Sequence, residues 1–293
     1  MLALIAGAGD LPAAIAASLD KAPVIAALDG FWPEALTHNP ELTWRVETLG
    51  TLLLRLKSFG VTEVCLCGAV ERPSVDVSAI DAETRSLIPA LQAALQTRGD
   101  DAVLRAVMGI FEEAHFVVRA AHDVAPGLLP PPGVLTIAQP PVGAEVDAAA
   151  GDKVSAAQGR ADLGQACVIR AGHVVAREDG RGTDVMLRDL AMQTDDGDVF
   201  TTAMDGIGDM LGAASDWLSG TAHTAQGMFF KAPKPNQDHR ADLPVIGPRT
   251  VASVADAGLA GLTIAHQGVM VLDLDNVIAA CNARGLYLWV RDP

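Results

Sequence analysis

The sequence predicts an α/β protein in two domains: a doubly wound parallel sheet, followed by a distinct α+β domain. Through roughly residue 125, strand-like apolar runs alternate with helix-like segments, the pattern of a parallel sheet with helices on both faces. The run VTEVCLCGAV at residues 61–70 is almost wholly apolar, as expected for a strand buried on both faces. Later strand patterns come in antiparallel pairs, which indicates the α+β arrangement.

Each element of the first domain has a local signature. The first strand ends in glycines, the second ends at Asp29 and Gly30, and the third holds Cys65 and Cys67, whose thiols we expect on opposite faces. Asp100 and Asp101 are suited to capping the helix that follows them. In order, the expected elements are strand 2–6, helix 11–21, strand 24–28, helix 51–60, strand 61–70, helix 98–116 and strand 116–122.

The stretch GLLPPPGVL at residues 127–135 marks the domain boundary, because three consecutive prolines cannot continue a helix. We therefore expect domains at 1–130 and 131–293. The helical pattern at 205–220 either packs on its own core or offers an apolar face to lipid. The second domain is expected to hold helix 148–164, a hairpin over 165–178 with an Ala-Gly-His turn, helix 183–193, a charged loop over 229–248, and a hairpin then a helix over 261–285.

Composition limits the function classes. The chain has 36 acidic and 21 basic residues and a net charge of −15, which disfavours non-specific nucleic-acid binding. A phosphate must then be met by a local device, such as a helix N-terminus, clustered cations or a bound metal ion. The four cysteines form no zinc or disulfide pattern, which indicates reduced thiols in a cytoplasmic protein. The first apolar run breaks at glycines and lacks a basic flank, so we interpret it as a strand, not a signal peptide.

The turn after the first strand has three open interpretations. Gly7 and Gly9 either form a structural turn, contact a nucleotide or nucleotide sugar, or belong to an NAD site with Asp29 on the ribose. The NAD fingerprint requires a third glycine where this chain has Pro12. The loop CGAVERP at 67–73 follows the third strand, so it either shares this ligand-binding edge or is a plain connection.

Two later segments offer polar groups. In DGRGTDVML at 179–187, Thr183 or Asp184 caps a helix, or Asp184 binds a metal ion or positions a water. In the proline-rich segment 229–248, which we term the cationic island, three cations are predicted to clamp phosphate: Lys231, Lys234 and Arg240. Its carboxylates Asp238 and Asp242 would hold the arginine or a divalent cation, and a solvated charged loop is the alternative.

These motifs together resemble a known family. In order they are the GAGDLP turn, GAVERPS, GDDAVLRAV, ADLGQACVIRAGHVVARE, EDGRGTDVMLR and KAPKPNQDHRADLPVIGPRTV. The set is similar to the LpxI-type UDP-2,3-diacylglucosamine pyrophosphatases of lipid A biosynthesis. The resemblance implies a Mg²⁺-dependent homodimeric hydrolase with a Rossmann-like first domain, which binds its ligand between two domains. It also implies that water attacks the phosphorus attached to the sugar, giving UMP and 2,3-diacylglucosamine 1-phosphate.

The resemblance also assigns residues. Catalytic roles fall to Lys231, Lys234, Arg240 and Asp184, and candidate metal ligands are Asp184, Asp238 and Asp242. Substrate contacts are expected from Gly7, Gly9, Asp10, Leu11, Gly68, Ala69, Val70, Asp100, Asp101, Gln165, Thr183 and Gln237. The acyl chains would use an apolar groove that includes residues 205–220, and the product lipid would leave toward the inner-membrane surface.

One position departs from this expectation. Ala225 stands where we expect an acidic residue, shortly before the strand that carries Lys231. The absence of that acidic side chain would lower the turnover rate more than the binding of substrate. A non-catalytic protein that binds a nucleotide sugar or a lipid is therefore one alternative. An NAD-dependent oxidoreductase is another.

Overall fold

The computed structural model describes residues 1–70, 74–96, 100–161, 163–195, 227–235, 237–240 and 242–292; for 93–96, 100, 101, 194 and 195 it describes the backbone only. These residues form two compact units. The first unit comprises Met1–Pro130, Pro235–Ile246 and Gln267–Leu274, and the second comprises Pro131–Lys234, Gly247–His266 and Asp275–Pro293. The first unit therefore takes in two segments from the later part of the chain.

The first unit contains the predicted doubly wound sheet. Its five strands have the order β3-β2-β1-β4-β5, and every neighbouring pair is parallel. The elements are β1 (Leu2–Ala6), α1 (Leu11–Ser18), β2 (Val24–Leu28), β3 (Leu42–Trp44), α2 (Leu49–Ser58), β4 (Glu63–Cys67), α3 (Ala82–Arg85), α4 (Ile88–Gln96), α5 (Asp100–Glu113), β5 (Val117–Val118) and α6 (Ala121–Val124). This topology confirms the parallel α/β prediction.

Alternate residues of β1 pack against helices on opposite faces of this sheet. Ala3 and Ile5 join the cluster that contains leucines of α2 and Phe111 of α5. Leu4 joins the other cluster, with Ile15 of α1. Because both faces are covered, the strand must be apolar throughout, and its pattern is a continuous apolar run.

Cys65 and Cys67 correct one sequence prediction. Both side chains lie in the same cluster, because residues two apart on a strand share a face. The expectation of opposite faces was wrong. The hydrogen bond with Cys65 and burial raise the pKa of the Cys67 thiol, so it stays protonated at neutral pH.

The second unit is built on a six-stranded mixed sheet with the order β6-β13-β11-β9-β7-β8. Strands β9, β11 and β13 are parallel, while β7 runs antiparallel to both neighbours and β6 runs antiparallel to β13. The elements of this unit are β6 (Gly133–Val134), α7 (Ala144–Arg160), β7 (Ala166–Arg170), β8 (His173–Arg177), α8 (Thr183–Asp195), β9 (Met228–Lys231), α9 (Pro248–Asp256), β11 (Gly261–Ala265), α10 (Leu274–Ala283) and β13 (Tyr287–Arg291).

Of the two hairpins predicted here, one is present. β7 and β8 form the hairpin expected around Ala171 and Gly172, where both residues have positive φ angles of 49° and 79°. The hairpin predicted after residue 261 was wrong: β11 lies between parallel strands β9 and β13. The next strand, β12 (Met270–Val271), instead pairs in the first unit with β10 (Val245–Ile246).

No helix in the described ranges combines the length and apolar character needed to cross a lipid bilayer. The helical pattern predicted at 205–220 lies outside the described residues.

Candidate functional site

Lys231 is a buried cation at the end of a central strand. It is the last residue of β9, follows two fully buried phenylalanines, and is only 7 % exposed. Burying an ammonium group costs free energy unless hydrogen bonds replace its water. Its Nζ donates to the Oγ1 atom of Thr183 at 2.8 Å, from the first residue of α8. The lysine is thus held by a strand on one side and a helix start on the other.

The Thr183 hydroxyl connects this lysine to a glutamate. Thr183 Oγ1 donates to Glu178 Oε1 at 2.8 Å, and the backbone N–H of Gln165 donates to Glu178 Oε2 at 2.7 Å. Lys231, Thr183, Glu178 and Gln165 therefore form one hydrogen-bonded set, which we term the Lys231 network. Lys231, Thr183 and Gln165 were predicted from the sequence as site residues, whereas Glu178 was not.

The loop between Glu178 and Thr183 is held by its own ion pairs. Arg181 forms two-point contact with Asp179, whose Oδ2 lies 2.8 Å from Nη2, and it reaches Asp189 of α8 at 3.1 Å. Hydrogen bonds from Arg181 hold the pKa of Asp179 below its ordinary value. Asp184 lies in the first turn of α8 with an exposed side chain.

The cationic island divides between the two units. Lys231, in strand β9, and Lys234 belong to the second unit. Residues Pro235–Ile246, which include Arg240, belong to the first unit. The prediction that one proline-rich loop presents all three cations was therefore wrong for Lys231, which lies at the end of strand β9. The apolar residues before it, Phe229 and Phe230, pair with both β7 and β11, and this pairing extends the strand to the lysine.

Arg240 is the centre of a carboxylate cluster in the first unit. Its Nε and Nη2 atoms donate to the two oxygens of Asp238 at 3.0 and 2.8 Å, and Nη1 donates to Glu112 of α5 at 2.6 Å. These hydrogen bonds hold the pKa of the Asp238 carboxyl below its ordinary value of 3.8. They also raise the pKa of Arg240. We term this set the Arg240 cluster; its member Glu112 was not predicted from the sequence.

The remaining carboxylate of the island has a different partner. Gln237, 9 % exposed, donates from Nε2 to Asp242 Oδ2 at 2.5 Å. In the described part of the chain, no three His, Cys, Asp or Glu side chains are grouped so as to hold a metal ion. Asp184 belongs to the second unit, whereas Asp238 and Asp242 belong to the first.

The glycine turns after β1 and β4 lie against each other. Ala8 and Ala69 exchange backbone hydrogen bonds of 2.8 and 2.9 Å, and Gly7 N–H donates to the Cys67 carbonyl at 2.8 Å. A Cβ atom on Gly7 would lie 2.4 Å from the Ala69 oxygen. The structure thus brings residues 7–9 and 68–70 together. The backbone at Ala69 lies so close to residue 7 that only glycine fits there.

The start of α1 bears on the choice between nucleotide sites. Asp10 occupies the N-cap position, Leu11 begins the helix, and the next residue is the buried Pro12. A proline has no N–H to offer a phosphate, and Pro12 stands where the dinucleotide fingerprint has its third glycine. Asp29 lies at the end of β2 with its backbone N–H bonded to Trp44. The side chains of Asp100 and Asp101, and all of Ala225, lie outside the described residues.

Fold and site together define a two-unit α/β protein that buries a hydrogen-bonded lysine at the end of a sheet strand. The LpxI N-terminal domain model matches residues 1–128, and the LpxI C-terminal domain model matches residues 131–289. The chain is 33 % identical over 295 residues to the UDP-2,3-diacylglucosamine pyrophosphatase LpxI of Caulobacter vibrioides, covering 100 % of this chain and 98 % of that relative. The chain belongs to the LpxI family.

Proposed function

We propose that this protein hydrolyses the pyrophosphate bond of UDP-2,3-diacylglucosamine, giving UMP and 2,3-diacylglucosamine 1-phosphate in lipid A biosynthesis. The observation that carries the proposal is the match along the full chain, 33 % identical, to a relative named for this activity. Both family domain models match, so the likeness extends through both units and is not confined to one shared module.

The chemistry requires positive charge beside the pyrophosphate. A water oxygen attacks one phosphorus, the bond from that phosphorus to the bridging oxygen breaks, and the electron pair leaves with the other phosphate. The water proton passes to a base or to solvent. Negative charge grows on the leaving phosphate, so a fixed cation accelerates the step. We assign this role first to Lys231, because its ammonium is buried and already oriented by Thr183.

The other predicted residues take supporting roles in this proposal. Arg240 and Lys234 act as further phosphate clamps, and two carboxylates hold the Arg240 guanidinium in one orientation. Asp184 orients water or a cation. Substrate-binding roles are proposed for Gly7, Gly9, Asp10, Leu11, Gly68, Ala69, Val70, Asp100, Asp101, Gln165, Thr183 and Gln237.

We further propose a requirement for Mg²⁺, with Asp184, Asp238 and Asp242 as candidate ligands. This rests on the resemblance and on the charge of the pyrophosphate, since the described residues show no ligand cluster. A homodimer, a cytoplasmic location and peripheral contact with the inner membrane rest on the resemblance in the same way. Sedimentation of the purified protein, alone and with anionic vesicles, tests the dimer and the membrane contact.

The direct test is turnover. The protein is incubated with Mg²⁺ and UDP-2,3-diacylglucosamine in ¹⁸O-labelled water. The products are then separated and their masses measured by mass spectrometry. We expect UMP, with the label in the sugar 1-phosphate, and no UMP when EDTA replaces Mg²⁺. Label in UMP would reassign the attacked phosphorus. Absence of UMP would contradict the proposed activity.

A second candidate is binding of the same nucleotide lipid with little turnover, which Ala225 favours. In that case the protein binds UDP-2,3-diacylglucosamine in an equilibrium assay and releases little UMP, and Ala225→Asp raises the turnover rate. Equal turnover in both forms would remove this candidate. An NAD-dependent oxidoreductase is opposed by Pro12, and a change in NADH fluorescence on mixing would be needed to revive it.

A further inference from the structure

We propose that Glu178 is a positioning residue for Lys231: it orients the Thr183 hydroxyl so that the ammonium group stays aimed at the phosphate. The inference rests on the proposed function, in which Lys231 neutralises the leaving phosphate. Glu178 itself need not touch the substrate, because Thr183 stands between it and the lysine.

The direction of the two hydrogen bonds follows from the donors present. A lysine ammonium can only donate, so Thr183 Oγ1 must accept from Nζ at 2.8 Å. The hydroxyl then directs its single hydrogen to Glu178 Oε1, also at 2.8 Å. A glutamate carboxylate can only accept, so this arrangement has one consistent polarity. Reversing either bond would break the other.

Glu178 is itself fixed on three sides. Its second oxygen accepts from the Gln165 N–H at 2.7 Å, its backbone N–H donates to Ala166 at 3.0 Å, and its carbonyl accepts from Gln158 Nε2 at 3.0 Å. Gln165 in turn accepts from the N–H of Ala232, the residue after Lys231, at 3.1 Å. The carboxylate and the lysine strand are therefore both bonded to Gln165, which directly precedes β7, the strand between β8 and β9.

A glutamine at 178 cannot reproduce this arrangement. The site presents two donors, the Thr183 hydroxyl and the Gln165 N–H, and so needs two acceptor oxygens. A glutamine supplies one oxygen and one NH₂ group, which must face one of these donors. The substitution conserves size and removes both the charge and one acceptor, so it isolates the proposed role.

The first readout is steady-state turnover of UDP-2,3-diacylglucosamine. We expect Glu178→Gln to lower kcat by about 10- to 100-fold, as small displacements of a catalytic group do, with KM changed less than about threefold. The matched control is Glu145→Gln, an exposed glutamate of the same unit that pairs with Arg291 at 3.4 Å. It should change kcat by less than about twofold. Thr183→Ser should retain more turnover than Thr183→Val, because the hydroxyl is kept.

The second readout does not depend on activity. Trace labelling with acetic anhydride, followed by mass spectrometry, compares Lys231 with exposed Lys21 as an internal reference. Without the Glu178 charge the ammonium is less stabilised, so the reactive neutral amine becomes more abundant. We expect the Lys231 to Lys21 labelling ratio to rise about threefold or more in Glu178→Gln and to stay unchanged in Glu145→Gln.

An unchanged labelling ratio together with an unchanged kcat in folded Glu178→Gln would overturn the inference. If the wild-type protein releases no UMP, the proposed function fails, and the labelling ratio alone decides whether Glu178 controls the lysine. If Glu178→Gln does not fold, Thr183→Val removes the same connection while leaving the Gln165 bond to Glu178 in place. The same two readouts then apply to that variant.

Discussion

At the scale of single residues, Asp238 shows how a partly buried carboxylate is kept ionised. Its side chain is 15 % exposed, and both oxygens accept from Arg240. These hydrogen bonds favour the charged form, so the pKa of Asp238 lies lower in the folded protein than in the unfolded chain. The pair therefore contributes stability above the unfolded pKa, and this is lost as pH falls through the folded pKa.

Arg240→Ala should lower the free energy of unfolding by about 1 kcal/mol at pH 7, a small effect because Arg240 is 42 % exposed and water screens the pair. The difference from wild type should persist to pH 5 and shrink as the pH falls below the ordinary value of 3.8. Urea unfolding at pH 7, 5 and 3 measures this. A difference that grows on acidification would contradict the assignment. Turnover of this variant should also fall if Arg240 clamps phosphate.

At the scale of elements, the paired glycine turns of the first unit set a steric limit. Gly68 has a φ of +90°, and a Cβ atom there would lie 2.8 Å from the Gly7 carbonyl group. Gly30 has nearly the same φ, +84°, with no atom within 4 Å of its Cβ position. The two positions share the conformational requirement and differ in the space around them.

Alanine at these two positions should therefore separate strain from collision. Gly30→Ala should cost about 1–2 kcal/mol, the penalty of a positive φ for a residue with a side chain. Gly68→Ala should cost about 1–3 kcal/mol more, because backbone atoms must move apart. Thermal unfolding of both variants checks the order. Equal losses would show that the close approach of the two turns is relaxed in solution.

The sequence predicted the elements whose signal is local. Four strands of the first sheet and the β7–β8 hairpin were predicted and are present, whereas β3 (Leu42–Trp44) was not predicted. The helix predicted over 98–116 is α5, which spans Asp100–Glu113. The hairpin predicted after residue 261 is absent, because β11 pairs with the parallel strands β9 and β13. The strand is almost wholly buried, and an apolar run of this kind does not indicate which strands it pairs with.

In the site, too, local motifs were predictable and contacts between distant residues were not. Lys231, Thr183 and Gln165 were predicted from motifs, but Glu178 connects to the lysine only through Thr183, which lies 48 residues before Lys231 in the chain. Glu112 lies 128 residues from Arg240 in the chain, so no spacing rule could pair them. Hydrogen bonds between distant residues were the part that sequence could not supply.

At the scale of the whole molecule, each unit has a core completed by residues from separate stretches of the chain. Met270 and Leu243 are 2 % and 5 % exposed in the cluster of the first unit that contains Leu4 and Ile15. Leu262, only eight residues before Met270, is fully buried in the sheet of the second unit. Neighbouring residues in sequence thus stabilise different units.

This division predicts where two matched variants act. Met270→Ala and Leu262→Ala should each cost about 2–5 kcal/mol, because each leaves a cavity in a packed core. Hydrogen exchange should show lost protection in β1 and β4 for Met270→Ala, and in β9 and β13 for Leu262→Ala. Lost protection in β9 and β13 for both variants would contradict the assignment of Met270 to the first unit.

The central claim is that the buried ammonium of Lys231 neutralises the pyrophosphate during hydrolysis. Its most direct test is single-turnover release of UMP from UDP-2,3-diacylglucosamine by wild type, Lys231→Met and the exposed control Lys21→Met. Methionine keeps the length of the side chain and removes its charge. We expect Lys231→Met to slow the step by about 10²- to 10³-fold, as removal of a transition-state donor does, while Lys21→Met matches wild type. A folded Lys231→Met that releases UMP within about threefold of the wild-type rate would contradict the claim.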